Sequence, residues 1–226
     1  MVNVANFLPG IILLLIAGFE IGLFVFFWRY EKTITIKAYL AFIAGVILWV
    51  GANGVSLVVG NGDVSSIQKF TFLGGALITS DLLLFIYCFP YPRSKFVYVL
   101  KYLPFVSMVL FGLWLFTGNS FIGAESIDLQ DGVLQTHSQS AGILAWSVFL
   151  VVAWMISAFE LIRRFLSASG VDRKRLYYLL VGVSISGVVG IVSDVIFPLV
   201  SLPYFAWLGS GFSIVWLWFS VKAVRV

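Results

Sequence analysis

The chain has one cysteine, one histidine and only 11% charged residues among its 226. A single Cys88 excludes an internal disulfide. One histidine, His137, is too few for a zinc cluster, so no metal is expected. There is no His-Glu-x-x-His pair, no Gly-x-Ser-x-Gly elbow and no phosphate-binding glycine loop. No nucleophile–base pair therefore points to an enzyme, and no cofactor is expected. The last apolar run contains no lysine, which excludes a retinal Schiff base on it. No basic residue precedes the first apolar run and Arg29 follows it, a pattern that a cleaved signal peptide does not have.

What is present is apolar. Hydrophobic residues make up 61% of the chain and the mean hydropathy is +1.06, against about 45–50% apolar in a soluble domain. Seven runs approach the roughly 20 residues that a helix needs to cross hydrocarbon: 7–28, 38–59, 67–89, 97–117, 141–162, 176–197 and 204–221. In lipid each run must satisfy its own backbone, so each is predicted to be a helix; they are too long and continuous for barrel strands. The predicted fold is an all-α integral membrane bundle of seven transmembrane helices forming one domain over 1–226.

Charge gives the orientation. Thirteen of the fourteen Lys and Arg residues fall in alternate gaps. Arg29, Lys32 and Lys37 follow the first run, and Arg93, Lys95 and Lys101 the third. Arg163, Arg164, Arg173, Lys174 and Arg175 follow the fifth, and Lys222 and Arg225 the seventh. Only Lys69 lies elsewhere. Cytoplasmic loops carry this excess, so the N-terminus is expected outside, the C-terminus in the cytoplasm, and the chain in the plasma membrane. The net charge of +4 belongs to span flanks that meet anionic lipid; nucleic acid is not an expected partner.

Turn chemistry marks the ends of the runs. Asn61-Gly62-Asp63 reads as an outer turn, and Pro90-Tyr91-Pro92 ends the third run. Ser169-Gly170 separates the fifth run from the sixth, with Asp172 as a candidate cap. Phe197-Pro198 and Pro203 bound the last outer turn. The segment 118–139 is the longest polar stretch. Asp131-Gly132 between alternating apolar residues predicts a two-stranded lid there, outside the membrane. A faint internal echo pairs Gly18-Phe19-Glu20 with Ala158-Phe159-Glu160 and Leu73-Gly74-Gly75 with Leu208-Gly209-Ser210; as parallel repeats these would resemble some transporters.

Four acids lie inside runs although a mid-bilayer charge costs about 2.5–3.5 kcal/mol. At about 1.5 Å per residue, Glu20 stands ~13 Å above Arg29 and Asp81 ~13 Å above Pro90, both near the midplane. They are expected to share a proton or a hydrogen-bond network if their helices touch. Asp194 follows Gly182, Ser186 and Gly190 at steps of four, a small face that lets helices approach. Lys69 and Asn53 lie at similar depth, so an Asp194–Lys69 ion pair and a polar pocket of Asn53, Lys69 and Asp194, with Trp49 one turn deeper, are predicted. Glu160, with Arg163 and Arg164 at i+3 and i+4, reads as an exposed interfacial pair. Trp28, Trp114, Trp146, Trp207, Trp216 and Trp218 read as interfacial anchors. For each polar residue the plainer role is to fix one helix to another.

Five stretches carry a resemblance. They are Leu82-Leu83-Leu84-Phe85 leading to Cys88-Phe89-Pro90; Ala168-Ser169-Gly170 with Lys174-Arg175-Leu176-Tyr177-Tyr178; Ile196-Phe197-Pro198-Leu199; Leu208-Gly209; and Ala223-Val224-Arg225. In this order and spacing the chain resembles the N-terminal seven-helix region of membrane histidine kinases over nearly its whole length. The resemblance implies a sensory input module that passes a signal through the seventh helix to a cytoplasmic output. The phosphoacceptor helix and ATP-binding domain of that family have no counterpart before Val226, so kinase activity is not carried over. Candidate partners are the lipid bilayer, a small-molecule or lipid ligand, a cytoplasmic kinase or regulator, and a second copy of the chain. Two other readings compete. One is a small proton-coupled transporter using Glu20 and Asp81. The other is a scaffold that only recruits a partner.

Overall fold

The computed structural model describes residues 4–30, 33–59, 64–91, 99, 101–117, 127–130, 133–136, 141–196 and 207–225. The expected turns at 61–63, 131–132 and 197–203, and His137, lie outside the described residues. Helices α1 (Val4–Trp28), α2 (Ile34–Val59), α3 (Val64–Cys88), α4 (Leu103–Thr117), α5 (Ala141–Ser167) and α6 (Gly170–Ile191) follow in chain order. A π-helical turn at Val192–Ile196 continues α6. The final run is two pieces, α7 (Trp207–Gly211) and α8 (Ser213–Arg225), with a turn at Phe212 between them. Strands β1 (Ile127–Gln130) and β2 (Val133–Thr136) pair antiparallel, with Ile127 opposite Thr136 and Gln130 opposite Val133.

Among the described residues, six spans are long and apolar enough to cross a bilayer, and Leu103–Phe116 is a shorter apolar helix. The expected fourth span is thus described as helix only from Leu103, about 22 Å at the helical rise. The molecule turns its apolar side chains outward as well as inward: Leu8, Leu15, Phe19, Phe105, Leu110, Phe159 and Leu166 are exposed. So broad an apolar surface is incompatible with water and suits lipid.

Helix α2 packs between α1 and α3, α3 also meets α4 and α5, and α6 meets α5 and α8. Glycines set the closest approaches. A Cβ on Gly74 would lie 2.7 Å from the Trp49 backbone nitrogen, so α2 and α3 touch main chain to main chain. Gly10 and Gly54 face each other in the same way between α1 and α2. Hydrophobic contact gives helices in lipid little net attraction, so this close packing holds the bundle.

Tyr39 sits at the centre of an aromatic cluster. Phe27 meets it edge-on at 5.0 Å and Phe85 at 5.2 Å, and Trp216 lies 3.9 Å from Phe42. Trp146 and Trp216 are each 4% exposed, which corrects their assignment as interfacial anchors. Trp146 lies over Gly75, where a side chain would collide with it, and its indole N–H donates to the Phe72 carbonyl at 2.8 Å. Trp28 and Trp218 are exposed.

The link between α5 and α6 is two residues, Ala168 and Ser169, so Arg173, Lys174 and Arg175 lie on α6 rather than in a gap. Gly170 takes φ 58°, a left-handed value open to glycine. The N-cap is Ser169, without a side-chain cap bond, and Asp172 lies in the first helical turn. There its negative charge suits the helix dipole.

Candidate functional site

A cavity of about 130 Å³ lies where α2, α3, α5, α6, α7 and α8 converge. Trp49, Trp146, Trp154 and Trp216 form its walls, and Gly75, Gly187 and Gly209 allow them to close in. A Cβ on Gly187 would fall onto the indole of Trp154, so glycine at that position is what seats the ring. Thr79, Ser186 and Ser213 supply the hydroxyls, and no charged side chain is among the described lining residues.

The last span, made of α7 and α8, reaches across to the first two helices through three serines. The Asn53 amide donates to Ser210 at 2.7 Å, and Ser213 donates to Glu20 Oε1 at 2.7 Å. Tyr39 and Ser220 share a hydrogen bond of 2.7 Å. Ser210, Ser213 and Ser220 recur at steps of three and seven, which places them on one helical face. This spacing is present in the sequence, but three serines carry no charge and so leave no mark in the charge pattern. The break at Phe212 belongs to the same arrangement: its carbonyl accepts from Val215 and Trp216 amides and from Ser186 Oγ at 3.3 Å. Ser213 belongs both to the cavity wall and to the Glu20 bond.

Of the predicted site residues, Trp49 lines the cavity, while Asn53 and Lys69 are outside its described lining. Asn53 bonds Ser210, beside the lining residue Gly209, and accepts from Thr71 at 3.4 Å. The Lys69 ammonium sits 5.6 Å from the centre of the Phe116 ring on α4. The side chain of Asp194 lies outside what the structure describes, and the predicted ion pair with Lys69 falls there too. The register leading to it changes: Gly182 packs on Phe219 and Gly190 lines the cavity, but the π-turn begins at Val192. A spacing of four therefore does not continue to position 194.

Glu20 is fully buried and Asp81 nearly so. The structure joins Glu20 to Ser213 of the last span; α2 packs between the two acids' helices. Among the described residues, Glu20 Oε2 and Asp81 Oδ1 find no hydrogen-bond partner.

Glu160 corrects the expectation of an exposed pair. Glu160 and Arg164 are each 4% exposed. Arg164 Nε donates to Glu160 at 2.9 Å, and its two terminal nitrogens donate to the carbonyls of Phe89 at 2.8 Å and Tyr87 at 3.0 Å. Thr35 donates to the carbonyl between them, that of Cys88, at 3.0 Å. A helix end leaves its last carbonyls without intrahelical partners; here three consecutive ones are met by side chains of α2 and α5. Counting cations by gap could not distinguish Arg164 from its exposed neighbour Arg163.

The arrangement is therefore a cavity beside a jointed last helix. A family model described as the N-terminal 7TM region of histidine kinase matches residues 12–226. The chain belongs to that family. No curated protein and no solved structure matches it. Membership of the histidine kinase 7TM family supports a membrane sensory input module, a non-catalytic region of a multi-pass membrane protein. The matched stretches also acquire physical roles. Phe85 belongs to the aromatic core, the carbonyls of Cys88 and Phe89 accept from Thr35 and Arg164, and Gly209 lines the cavity.

Proposed function

We propose that the bundle is a signal-input module of the plasma membrane, with its N-terminus outside, that receives a small molecule or lipid in the tryptophan-walled cavity. The seventh span passes the signal to a cytoplasmic kinase or regulator. One observation carries this reading: Ser213 is both cavity wall and hydrogen-bond donor to Glu20 of α1. A molecule in the cavity presses on the same residue that fixes the seventh span to the first. It shifts the span by binding the two packings unequally. Asn53, Lys69 and Asp194 form the outer, polar end of the site, under the hairpin, with Trp49 between that end and the cavity.

The test is a distance. Spin labels at Lys37→Cys and Lys222→Cys, in a Cys88→Ser background, report the cytoplasmic ends of α2 and α8. Val46→Phe fills the cavity from α2 and imitates occupancy. The label separation should change with Val46→Phe and stay unchanged with Val99→Phe, an exposed position. Asp194→Asn with Lys69→Met should suppress the change. Identical separations in all four proteins would eliminate the coupling.

The unpartnered oxygens of Glu20 and Asp81 favour a second reading, a proton-coupled carrier, since intramembrane acids mark proton paths. Proteoliposome flux that vanishes with Glu20→Gln would establish it. The apolar lining of the cavity and the buried aromatic cluster around Tyr39 support the sensor instead.

A further inference from the structure

The hydroxyl groups of the cavity wall share a property that selects its ligand. Thr79 Oγ1 donates to the Gly75 carbonyl at 2.9 Å, Ser186 Oγ to the Phe212 carbonyl and Ser213 Oγ to Glu20. Each hydroxyl has one proton and two lone pairs. All three protons are directed at the protein, so the wall offers lone pairs. Two indole N–H groups are committed in the same way: Trp146 to Phe72 and Trp154 to Val183 at 3.4 Å. The three hydroxyls of the wall therefore present acceptors, and two of its four indole N–H groups are already committed.

Size and walls set the remainder. An engineered apolar cavity of ~150 Å³ holds benzene, so 130 Å³ holds a single ring or a chain of similar bulk. The tryptophan faces suit a flat apolar body. The lining residues Leu150, Gly187, Gly190 and Ile191 of α5 and α6 are partly exposed.

From this we infer that the cavity takes a small, membrane-partitioning molecule of about one ring that carries a hydrogen-bond donor, a hydroxyl or N–H, and discriminates against the same molecule without it. The inference rests on the cavity being the signal site and adds the chemistry of what enters. A donor placed on the Ser213 oxygen meets a lone pair, because the hydroxyl's own proton is given to Glu20. An acceptor placed there meets another acceptor, and a buried polar group left unpaired is costly.

Half of the chain's eight tryptophans line the cavity, so heavy-atom quenching of their fluorescence reports occupancy. The chain in nanodiscs is titrated with 4-bromophenol and with 1-bromo-4-fluorobenzene, which is close in size and lacks the donor. Each is corrected for partitioning, and the quenching that survives Val46→Phe is subtracted as lipid background. 4-Bromophenol should bind roughly five- to tenfold tighter, the worth of one net hydrogen bond. Ser213→Ala or Ser186→Ala should reduce that advantage at least twofold and leave the fluorinated probe unchanged. Equal affinity for both probes overturns the donor requirement while leaving the cavity occupied. An advantage unaffected by both serine variants overturns the assignment of the acceptors. Quenching by neither probe beyond the Val46→Phe background overturns the inference and the cavity site together; the label separations decide the coupling independently.

Discussion

Arg163 and Arg164 are adjacent, carry the same charge and share one carboxylate, yet replacing each with methionine should give opposite results. Arg163 Nη2 lies 2.8 Å from Glu160 Oε2, but its side chain is 67% exposed. Water and headgroups take over its contacts, and the pair adds nothing measurable. Arg164 is buried and donates to Glu160, Phe89 and Tyr87. Arg164→Met keeps much of the apolar bulk and removes every donor. Two carbonyls at the end of α3 lose their partner at about 1–3 kcal/mol each. Glu160 keeps only its solvent-side partner, and breaking a buried pair costs about 3–5 kcal/mol. Unfolded helices in a bilayer find substitute partners, which pulls such values down, so we expect about 3 kcal/mol, a shift of roughly a hundredfold in the unfolding equilibrium. Unfolding in mixed micelles with rising SDS fraction, followed by tryptophan fluorescence, reads both variants. Arg163→Met should leave the midpoint in place and Arg164→Met should lower it clearly. Equal shifts, or none with Arg164→Met, would refute the role of this guanidinium as the cap of α3.

Two further outcomes follow from the packing. Tyr39→Phe and Ser220→Ala each remove the same buried bond; each should cost about 1 kcal/mol, and the double variant should cost less than the sum, as the same micelle titration measures. Gly74→Ala forces a Cβ against the Trp49 backbone, whereas Gly112 has open space around it. Gly74→Ala should destabilise by about 1–3 kcal/mol and Gly112→Ala should not; equal effects would contradict the main-chain contact of α2 and α3.

The long apolar runs were legible because hydrocarbon imposes one length and one backbone solution, and the first three run ends lie within a few residues of the helices found. Helix α6 starts six residues before the expected run, because Arg173, Lys174 and Arg175, though charged, sit on the helix. Burial of Glu20 and Asp81 was readable from depth alone. Their partners were not, because a helix face is chosen by packing: Glu20 turns to Ser213 on the seventh span. Trp146 and Trp216 show the same limit. Tryptophan near a span end is enriched at interfaces, but Gly75 opens a seat for one ring and the Tyr39 cluster for the other. The suspected repeat pairs Glu20 with Glu160, yet one bonds a serine of a distant helix and the other two arginines of its own. The cavity arises where six helices meet, and no local pattern encodes it.

Side-specific labelling tests the central claim most directly, namely that the basic ends of the spans and the end of the seventh span share the cytoplasmic side while the hairpin lies outside. In a Cys88→Ser background, Asp128→Cys on β1 and Lys222→Cys on α8 are exposed one at a time to a membrane-impermeant maleimide on intact cells. The account predicts labelling at position 128 at once and at position 222 only after the membrane is opened. Labelling at 222 in intact cells, with 128 protected, would contradict it.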